Sequence, residues 1–125
     1  MMDEGPLNEA QSVNAAKSSS RRIGRFVIEI MNGPEDGRII ECREFPITIG
    51  RASDNIVHLP YDHLISRHHA TIEREGDSLT LTDLKSTNGT FFREHKVQGQ
   101  VAIDLNKLLR VGATLLTVRL RSVKG

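Results

Sequence analysis

The sequence is poor in cysteine and in aromatic residues, with one cysteine, no tryptophan and 4% aromatic residues in a chain of 125. A single thiol, Cys42, excludes an internal disulfide and a four-cysteine zinc site, and it is typical of proteins from reducing compartments. No apolar run approaches the roughly 20 residues that a membrane helix needs. The N-terminus also lacks the charged start and apolar run of a secretory signal. We therefore expect a soluble, cytoplasmic protein that does not insert into membranes and has a mainly aliphatic core.

An excess of charge of one sign is lacking as well, because 17 lysines and arginines stand against 16 acidic residues, for a net charge of +1. General nucleic-acid binders combine a strong basic excess with aromatic side chains on which bases stack. This composition therefore predicts no nucleic-acid partner. The length is enough for one ordinary domain, and we expect that domain to be monomeric.

The N-terminal segment differs in composition from the rest of the chain. Residues 1–22 are polar and rich in small side chains, and they end in Ser-Ser-Ser-Arg-Arg. A segment with so few large apolar residues cannot offset the entropy lost on ordering. We predict a flexible tail over residues 1–22 and one folded domain over residues 23–125.

From Phe26 onward the pattern is typical of β-strands. Phe26, Ile28 and Ile30 alternate with Val27 and Glu29, which is the period of a half-buried strand. Further extended runs, separated by turn-forming residues, occupy residues 38–41, 47–49, 70–74, 79–82 and 116–120. Many short strands with regular turns predict an antiparallel β-sandwich.

One stretch is ambiguous, because the leucines at 105, 108 and 109 have helical spacing. Gly112 and the β-branched residues around it argue against a long helix. We interpret the stretch as two strands joined by a turn.

Three short clusters between residues 50 and 90 carry the chemistry of the chain: Gly50-Arg51, then Ser66-Arg67-His68-His69, then Ser86-Thr87-Asn88-Gly89-Thr90. An arginine that follows a strand end can present its planar fork to a phosphate or a carboxylate. A serine offers a short hydroxyl donor, and an asparagine amide can pair with a peptide backbone. The pattern predicts loops on a β scaffold that converge on one anionic group.

The order Gly-Arg, Ser-x-x-His, Thr-Asn-Gly-Thr resembles the forkhead-associated (FHA) domain, a phosphothreonine-peptide-binding module. The resemblance extends from about Phe26 to Leu120. It implies an all-β fold, an antiparallel sandwich of about eleven strands of the FHA/SMAD-like type, with its ligand loops at one end. Each motif alone occurs often by chance, whereas all three in this order and framed by strands are specific.

The resemblance also implies roles for individual residues. Arg51 and Ser66 would contact the phosphate, with Arg67 beside them. Asn88 would hold the peptide backbone next to the phosphothreonine, supported by Thr87. A second set would be architectural, with one member bracing the binding loop and two fitting tight backbone: His69, Gly50 and Gly89.

Some positions depart from the family pattern. Family members often have a basic residue two positions before the motif serine, where this chain has Leu64. The usual Asn-Gly hairpin tip is replaced by residues 93–96, and the acidic turn before the penultimate strand by Asn106-Lys107. We expect one phosphate contact to be missing at Leu64 and the two hairpin changes to affect peptide preference or stability.

These observations predict a non-enzymatic adaptor in serine/threonine kinase signalling. Its partner would be a threonine-phosphorylated protein or the kinase itself, and it would need no cofactor. The alternative is a β-sandwich scaffold that binds unphosphorylated proteins through a sheet face.

Two other interpretations are weaker. A metal site would have to draw on the cluster His58, Asp62, His63, His68 and His69. Adjacent side chains on a strand point to opposite faces, so His68 and His69 cannot easily bind one ion. A hydrolase would use Ser66 with His69, but the sequence has no Gly-x-Ser-x-Gly elbow and no acid placed to orient the histidine. We also interpret Cys42 as an incidental thiol.

Overall fold

A computed structural model describes residues 24–122 of the chain, and nearly all of its regular structure is β-strand. The predicted flexible tail, residues 1–22, lies outside the described residues. Residues Phe26–Arg119 form one compact unit, which contains the three sequence clusters. A second unit takes the two chain ends, of which residues 24, 25 and 120–122 are described as strand residues. Within the described range, no helix has the length and apolar character needed to cross a bilayer.

The described residues form eleven strands and one short 3₁₀ turn at Gly33–Glu35. The strands are β1 Gly24–Ile30, β2 Ile39–Cys42, β3 Ile47–Gly50, β4 Val57–His58, β5 Ala70–Glu75, β6 Ser78–Asp83, β7 Thr90–Phe92, β8 His95–Lys96, β9 Gln100–Ile103, β10 Leu108–Val111 and β11 Thr114–Ser122.

The strands form two sheets, which confirms the predicted all-β sandwich. One sheet has six strands in the order β2-β1-β11-β10-β7-β8, and the other has five in the order β4-β3-β5-β6-β9. Most neighbours are antiparallel, and β4 pairs with β3 in parallel. The ambiguous stretch is a pair of strands, because β10 and β11 pair around a turn at Gly112, as expected.

The core between the sheets is aliphatic, as the scarcity of aromatic residues predicts. Strand side chains alternate between the two faces, so every second residue of a strand can point into the core. Ile47 and Ile49 of β3 and Ile72 of β5 are fully buried for this reason. Leu109 of β10 and Leu116 of β11 supply the same kind of packing from the other sheet.

Strand register explains why three connections meet at one end of the sandwich. In the antiparallel pairing of β3 with β5, Ile49 near the end of β3 lies opposite Ala70, which begins β5. Ala70 also lies opposite Asp83, which ends β6. Because the end of β3, the start of β5 and the end of β6 coincide, the β3–β4, β4–β5 and β6–β7 connections all pass this edge. The three sequence clusters lie on these connections.

The two-residue turn of the β7–β8 hairpin offers a test of the fold. Phe92 pairs with His95, and the intervening Arg93 and Glu94 have φ angles of 50° and 72°. Positive φ at both positions is the geometry that Asn-Gly adopts most readily. We expect Arg93→Asn with Glu94→Gly to raise the free energy of unfolding by about 1 kcal/mol, because the left-handed region disfavours other residues by about that amount. Urea unfolding measures the change, and an unchanged or lower free energy would contradict the assigned turn.

Candidate functional site

Arg51 opens the β3–β4 connection and is fixed to the β4–β5 loop twice. Its backbone N–H donates to the Ser66 carbonyl at 3.0 Å, and its side-chain Nε donates to the Ile65 carbonyl at 2.9 Å. The side chain is exposed, and its two terminal nitrogens have no hydrogen-bond partner within residues 24–122. The guanidinium is therefore held at one edge while most of its donors stay available to a ligand.

Ser66 lies where the β4–β5 loop meets the β6–β7 connection. Its backbone N–H donates to His69 Nδ1 at 3.0 Å, and its hydroxyl oxygen accepts the Thr87 backbone N–H at 3.1 Å. A serine hydroxyl that accepts a hydrogen bond keeps its own hydrogen free to donate. The two contacts thus hold the loop backbone in place and leave the hydroxyl a donor next to Arg51.

Asn88 is exposed at the tip of the β6–β7 connection. Its Nδ2 donates to the Leu64 carbonyl at 2.9 Å, which joins this tip to the β4–β5 loop. The bond uses one hydrogen of the amide and leaves its carbonyl oxygen as an acceptor. A peptide backbone N–H could donate to that oxygen, as the pairing role predicted for this residue requires.

The buried ring of His69 forms hydrogen bonds to both the β4–β5 loop and the β6–β7 connection. Its Nδ1 accepts the Ser66 backbone N–H, and its Nε2 lies 2.9 Å from the Gly89 carbonyl. The two bonds are compatible when the hydrogen is on Nε2, so the network assigns that tautomer. Both ring nitrogens are occupied, which leaves no position to take a proton from the Ser66 hydroxyl. Gly89 itself has a φ of 89°, as expected for the residue after an asparagine in a tight turn.

Gly50 is placed where a side chain has no room. A Cβ at this position would lie 2.1 Å from the Arg67 carbonyl oxygen and 2.7 Å from Asn55 Nδ2. Asn55 is buried and donates to the same carbonyl and to that of Ala52, each at 2.8 Å. The two loops therefore touch backbone to backbone beside Arg51. Gly50 was predicted from its motif, whereas Asn55, which carries no motif of its own, was missed.

Asp83 supports the β6–β7 connection and was also missed. Its Oδ1 accepts hydrogen bonds from Ser86 Oγ and Thr90 Oγ1, both at 2.6 Å. Ser86 Oγ in turn accepts the Gly89 N–H at 3.0 Å. Burial by itself raises the pKa of the Asp83 carboxyl, but the bonds from Ser86 and Thr90 outweigh it and lower that pKa below its ordinary value. The Asp-x-x-Ser spacing, typical of side chains that bond to a nearby backbone N–H, was the available signal.

Asp83→Asn should lower the free energy of unfolding by roughly 1–3 kcal/mol at pH 7, because it replaces charge-assisted bonds with neutral ones. The folded-state pKa of Asp83 is depressed, so its contribution is complete above the ordinary pKa of about 3.9 and is lost as the pH falls through the folded-state value. The difference between native protein and variant should therefore shrink below about pH 4. Urea unfolding at pH 7 and pH 3 measures this, with Asp77→Asn as the control for removing an exposed acid. If the two proteins differ in free energy of unfolding by the same amount at pH 7 and pH 3, the role assigned to the ionised Asp83 carboxylate is wrong.

Arg67 lies to one side of the other predicted contact residues. It lines an open pocket of about 340 Å³ with Arg51, Asp54 and His68. His68 Nε2 lies 3.0 Å from the Asp54 carboxylate in an exposed contact, and the hydrogen bond from His68 is the main cause that lowers the pKa of Asp54. Ser66 and Asn88 do not line this pocket. Arg51 is the residue that the two sites share.

The structure thus brings together Arg51, Ser66, Thr87 and Asn88 through direct contacts between loops, and sets Arg67 beside Arg51. In residues 24–122 there is no group of three or more histidine, cysteine, aspartate or glutamate side chains that could hold a metal ion.

Asp62 and Cys42, which the sequence analysis considered for a metal site and as a thiol, are both buried in the fold. Asp62, considered as a metal ligand, is buried and accepts hydrogen bonds from the Ala113 N–H and Thr114 Oγ1, so it holds the β10–β11 turn. Cys42 is buried, and burial raises the pKa of its thiol to about 11. A thiol that is protonated at neutral pH is a poor nucleophile.

A two-sheet sandwich that presents an arginine, a serine and an asparagine on three adjoining loops is the arrangement that the resemblance to FHA domains implies. The FHA domain family profile matches residues 47–112, and the chain belongs to this family.

The chain is similar to the FHA domain-containing protein FhaB of Mycobacterium tuberculosis, with 32% identity over 99 residues, 79% of this chain and 63% of the relative. It therefore spans less than two thirds of that relative's length. It is also similar to FhaA of the same organism, with 37% identity over 84 residues, which are 67% of this chain and 16% of FhaA.

Solved structures show the same fold. An FHA domain solved in a structural and functional analysis of phosphothreonine-dependent FHA domain interactions has a TM-score of 0.69 and 30% identity, covering 79% of this chain and 99% of that one. The FhaA FHA domain, solved in complex with the intracellular domain of another protein, has a TM-score of 0.66 and 32% identity, covering 75% of this chain and 99% of that one.

Proposed function

We propose that this FHA domain binds a protein segment that carries a phosphorylated threonine, and that it acts as a non-catalytic adaptor in serine/threonine kinase signalling. The observation that carries the proposal is the double attachment of Arg51 to the loop that presents Ser66. It joins the guanidinium of Arg51 to the backbone beside Ser66, on the loop to which Asn88 also bonds. A cation, a hydroxyl donor and a backbone-pairing amide are the groups that a phosphorylated residue within a peptide requires.

The roles of individual residues follow from their chemistry. In the proposed complex the terminal nitrogens of Arg51 and the hydroxyl of Ser66 donate to phosphate oxygens, and Asn88 pairs with the peptide backbone, supported by Thr87. Arg67 adds positive charge beside the phosphate. Gly50, His69 and Gly89 keep the loops in place.

The expected affinity is moderate. A phosphorylated side chain has about −1.5 to −2 charges and three acceptor oxygens, and charge-assisted hydrogen bonds contribute roughly 1.5–3 kcal/mol each. Ordering a flexible peptide offsets several kcal/mol of this gain. The balance corresponds to a dissociation constant of roughly 1 μM, which suits a reversible contact.

The partner we propose is a threonine-phosphorylated protein or the kinase that phosphorylates it. FHA relatives support this partner class, since one was solved for its phosphothreonine-dependent interactions and another with the intracellular domain of a second protein. We further propose that the domain comprises residues 23–125, acts as a cytoplasmic monomer without a cofactor, and does not bind nucleic acid.

Isothermal titration calorimetry with a phosphothreonine peptide library tests the proposal, with matched phosphoserine and unphosphorylated libraries. We expect binding to phosphothreonine peptides, and none to the unphosphorylated ones. Burial of the extra methyl group alone favours threonine over serine by about fourfold; a larger preference would reflect the stiffer β-branched side chain. Equal binding of unphosphorylated peptides would favour the scaffold alternative and overturn the proposal, as would binding to oligonucleotides alone.

A further inference from the structure

A second groove, of about 690 Å³, lies between the β7–β8 hairpin and strand β9. Its apolar lining comes from Phe92, Val97 and Val101. Strand β8 is an edge of the six-stranded sheet and β9 is an edge of the five-stranded sheet, so the groove runs along the border between the two sheets. None of its lining residues takes part in the arginine, serine and asparagine site described above.

The charge of the groove indicates what could fill it. Arg93, His95 and Lys96 contribute basic side chains, and no acidic residue lines it. The pocket beside Arg51 differs, because Asp54 lies among its basic residues. An apolar floor with a basic rim complements a segment in which acidic and apolar residues alternate.

The groove also suits an extended backbone. Strand β9 pairs with β6 along one side, from Gln100 opposite Thr82 to Ile103 opposite Leu79. An edge strand keeps a row of backbone N–H and C=O groups on its other side, to which an extended chain can add. A segment bound in this way would point alternate side chains in opposite directions, which matches the alternation that the lining favours.

The groove reaches the proposed phosphothreonine site at Lys96. This residue lines the groove, and its Cε would lie 3.2 Å from a Cβ built at Gly89, the residue after Asn88. A peptide whose backbone is held at Asn88 therefore lies next to one end of the groove.

We propose that this groove binds an acidic and apolar segment that flanks the phosphothreonine in the same partner chain. The inference rests on the proposed function and adds to it a second point of contact that selects partners. A tethered segment meets the groove at an effective concentration in the millimolar range, so that weak contacts add usefully to affinity. We expect a few ion pairs and buried apolar side chains in the groove to raise the affinity for the peptide roughly tenfold. This increase in affinity should become smaller as added salt screens the charges.

The experiment compares three forms of one phosphothreonine peptide by calorimetry on the 125-residue chain. The first is short, the second has an extension of alternating glutamate and leucine, and the third has a glycine-serine extension of equal length. Each extension is placed before the phosphothreonine in one set and after it in another. Proteins tested are the native chain, Arg93→Glu, and Arg93→Glu with Lys96→Glu. The control is Arg38→Glu with Arg43→Glu, an equal charge change on either side of β2, the opposite edge of the six-stranded sheet.

We expect one of the glutamate-leucine peptides to bind the native chain and the control roughly tenfold more tightly than the short peptide. The gain should fall in Arg93→Glu and vanish in the double variant, with the short peptide bound equally by the native chain and Arg93→Glu. No gain on the native chain, an equal gain from the glycine-serine extension, or a gain that survives in the double variant would overturn the inference. The proposed function would stand in each of these cases.

If the short phosphopeptide does not bind the native chain, the proposed function fails, and the groove is tested alone. The unphosphorylated glutamate-leucine peptide is then titrated at millimolar concentration into isotope-labelled protein. Chemical-shift changes confined to residues 92–101 would sustain the groove as an acidic-segment site, and no change there would end the inference.

Discussion

Replacing Arg51 by alanine should weaken phosphothreonine-peptide binding by at least about 100-fold, because it removes two or more charge-assisted hydrogen bonds worth roughly 1.5–3 kcal/mol each. The arginine also holds the neighbouring loop through the bond from its Nε to the Ile65 carbonyl. Its loss therefore affects both the ligand contact and the position of Ser66. Calorimetry with the tightest peptide from the library measures the change.

Two variants separate the contributions at this position. Arg51→Lys keeps the charge but loses the planar fork, and we expect it to retain about a tenth of the native affinity. Ser66→Ala removes one donor and should weaken binding by roughly tenfold. Urea unfolding establishes that each variant is folded. A loss of less than threefold in a folded Arg51→Ala protein would contradict the proposed phosphate contact.

Replacing Gly50 by alanine should lower the free energy of unfolding by about 3 kcal/mol, at the upper end of what overpacking costs. The added Cβ would lie 2.1 Å from the Arg67 carbonyl oxygen, which is backbone and cannot move like a side-chain end. That oxygen accepts hydrogen bonds from the Ala52 N–H and from Asn55 Nδ2. Moving it would strain the contact between the β3–β4 and β4–β5 connections, next to Arg51.

The control is a glycine with the opposite properties. Gly37 has a φ of 92° and nothing within 4 Å of the position that a Cβ would take, whereas Gly50 has no positive φ and no free space. Gly37→Ala should therefore lower the free energy of unfolding by only about 1 kcal/mol, through backbone strain alone. Urea unfolding compares the two variants. A smaller effect at Gly50 than at Gly37 would mean that the two connections are not packed as closely as described.

The parts of the fold with a strong local pattern were predictable from the sequence. Alternation of apolar and polar residues marked β1, β6 and β11, and short extended runs marked β2, β3 and β5. Gly112 marked the turn between β10 and β11, where its φ is 56°. The sandwich class followed from the number of such strands. Strands β7 and β9 were not among the predicted runs. Strands β4 and β8 were not predicted from any pattern either, because each is two residues long and no periodicity can be read over two residues. Their formation depends on pairing with β3 and β7.

The site was predictable where a residue type is needed for its own chemistry, and less so where a residue acts through its neighbours. Arg51, Ser66 and Asn88 lie together as the motifs predict, and their roles toward a ligand stay predictions. Arg67 is adjacent to Ser66 in sequence but lines a neighbouring pocket, because the loop bends at this point. Asn55 and Asp83 escaped notice because their partners are backbone groups and hydroxyls that only the folded chain brings near.

The hydrogen bond between the Thr87 amide and the Ser66 hydroxyl, together with the Arg51 attachment, means that the three loops are already fixed to one another before a ligand arrives. A preorganised site gives up little entropy on association, and partners that dock without rearrangement meet at about 10⁵–10⁷ M⁻¹s⁻¹. Differences in affinity between competing phosphoproteins should then arise mainly from how long each stays bound. Residence time, rather than the speed of encounter, would decide which partner the domain holds.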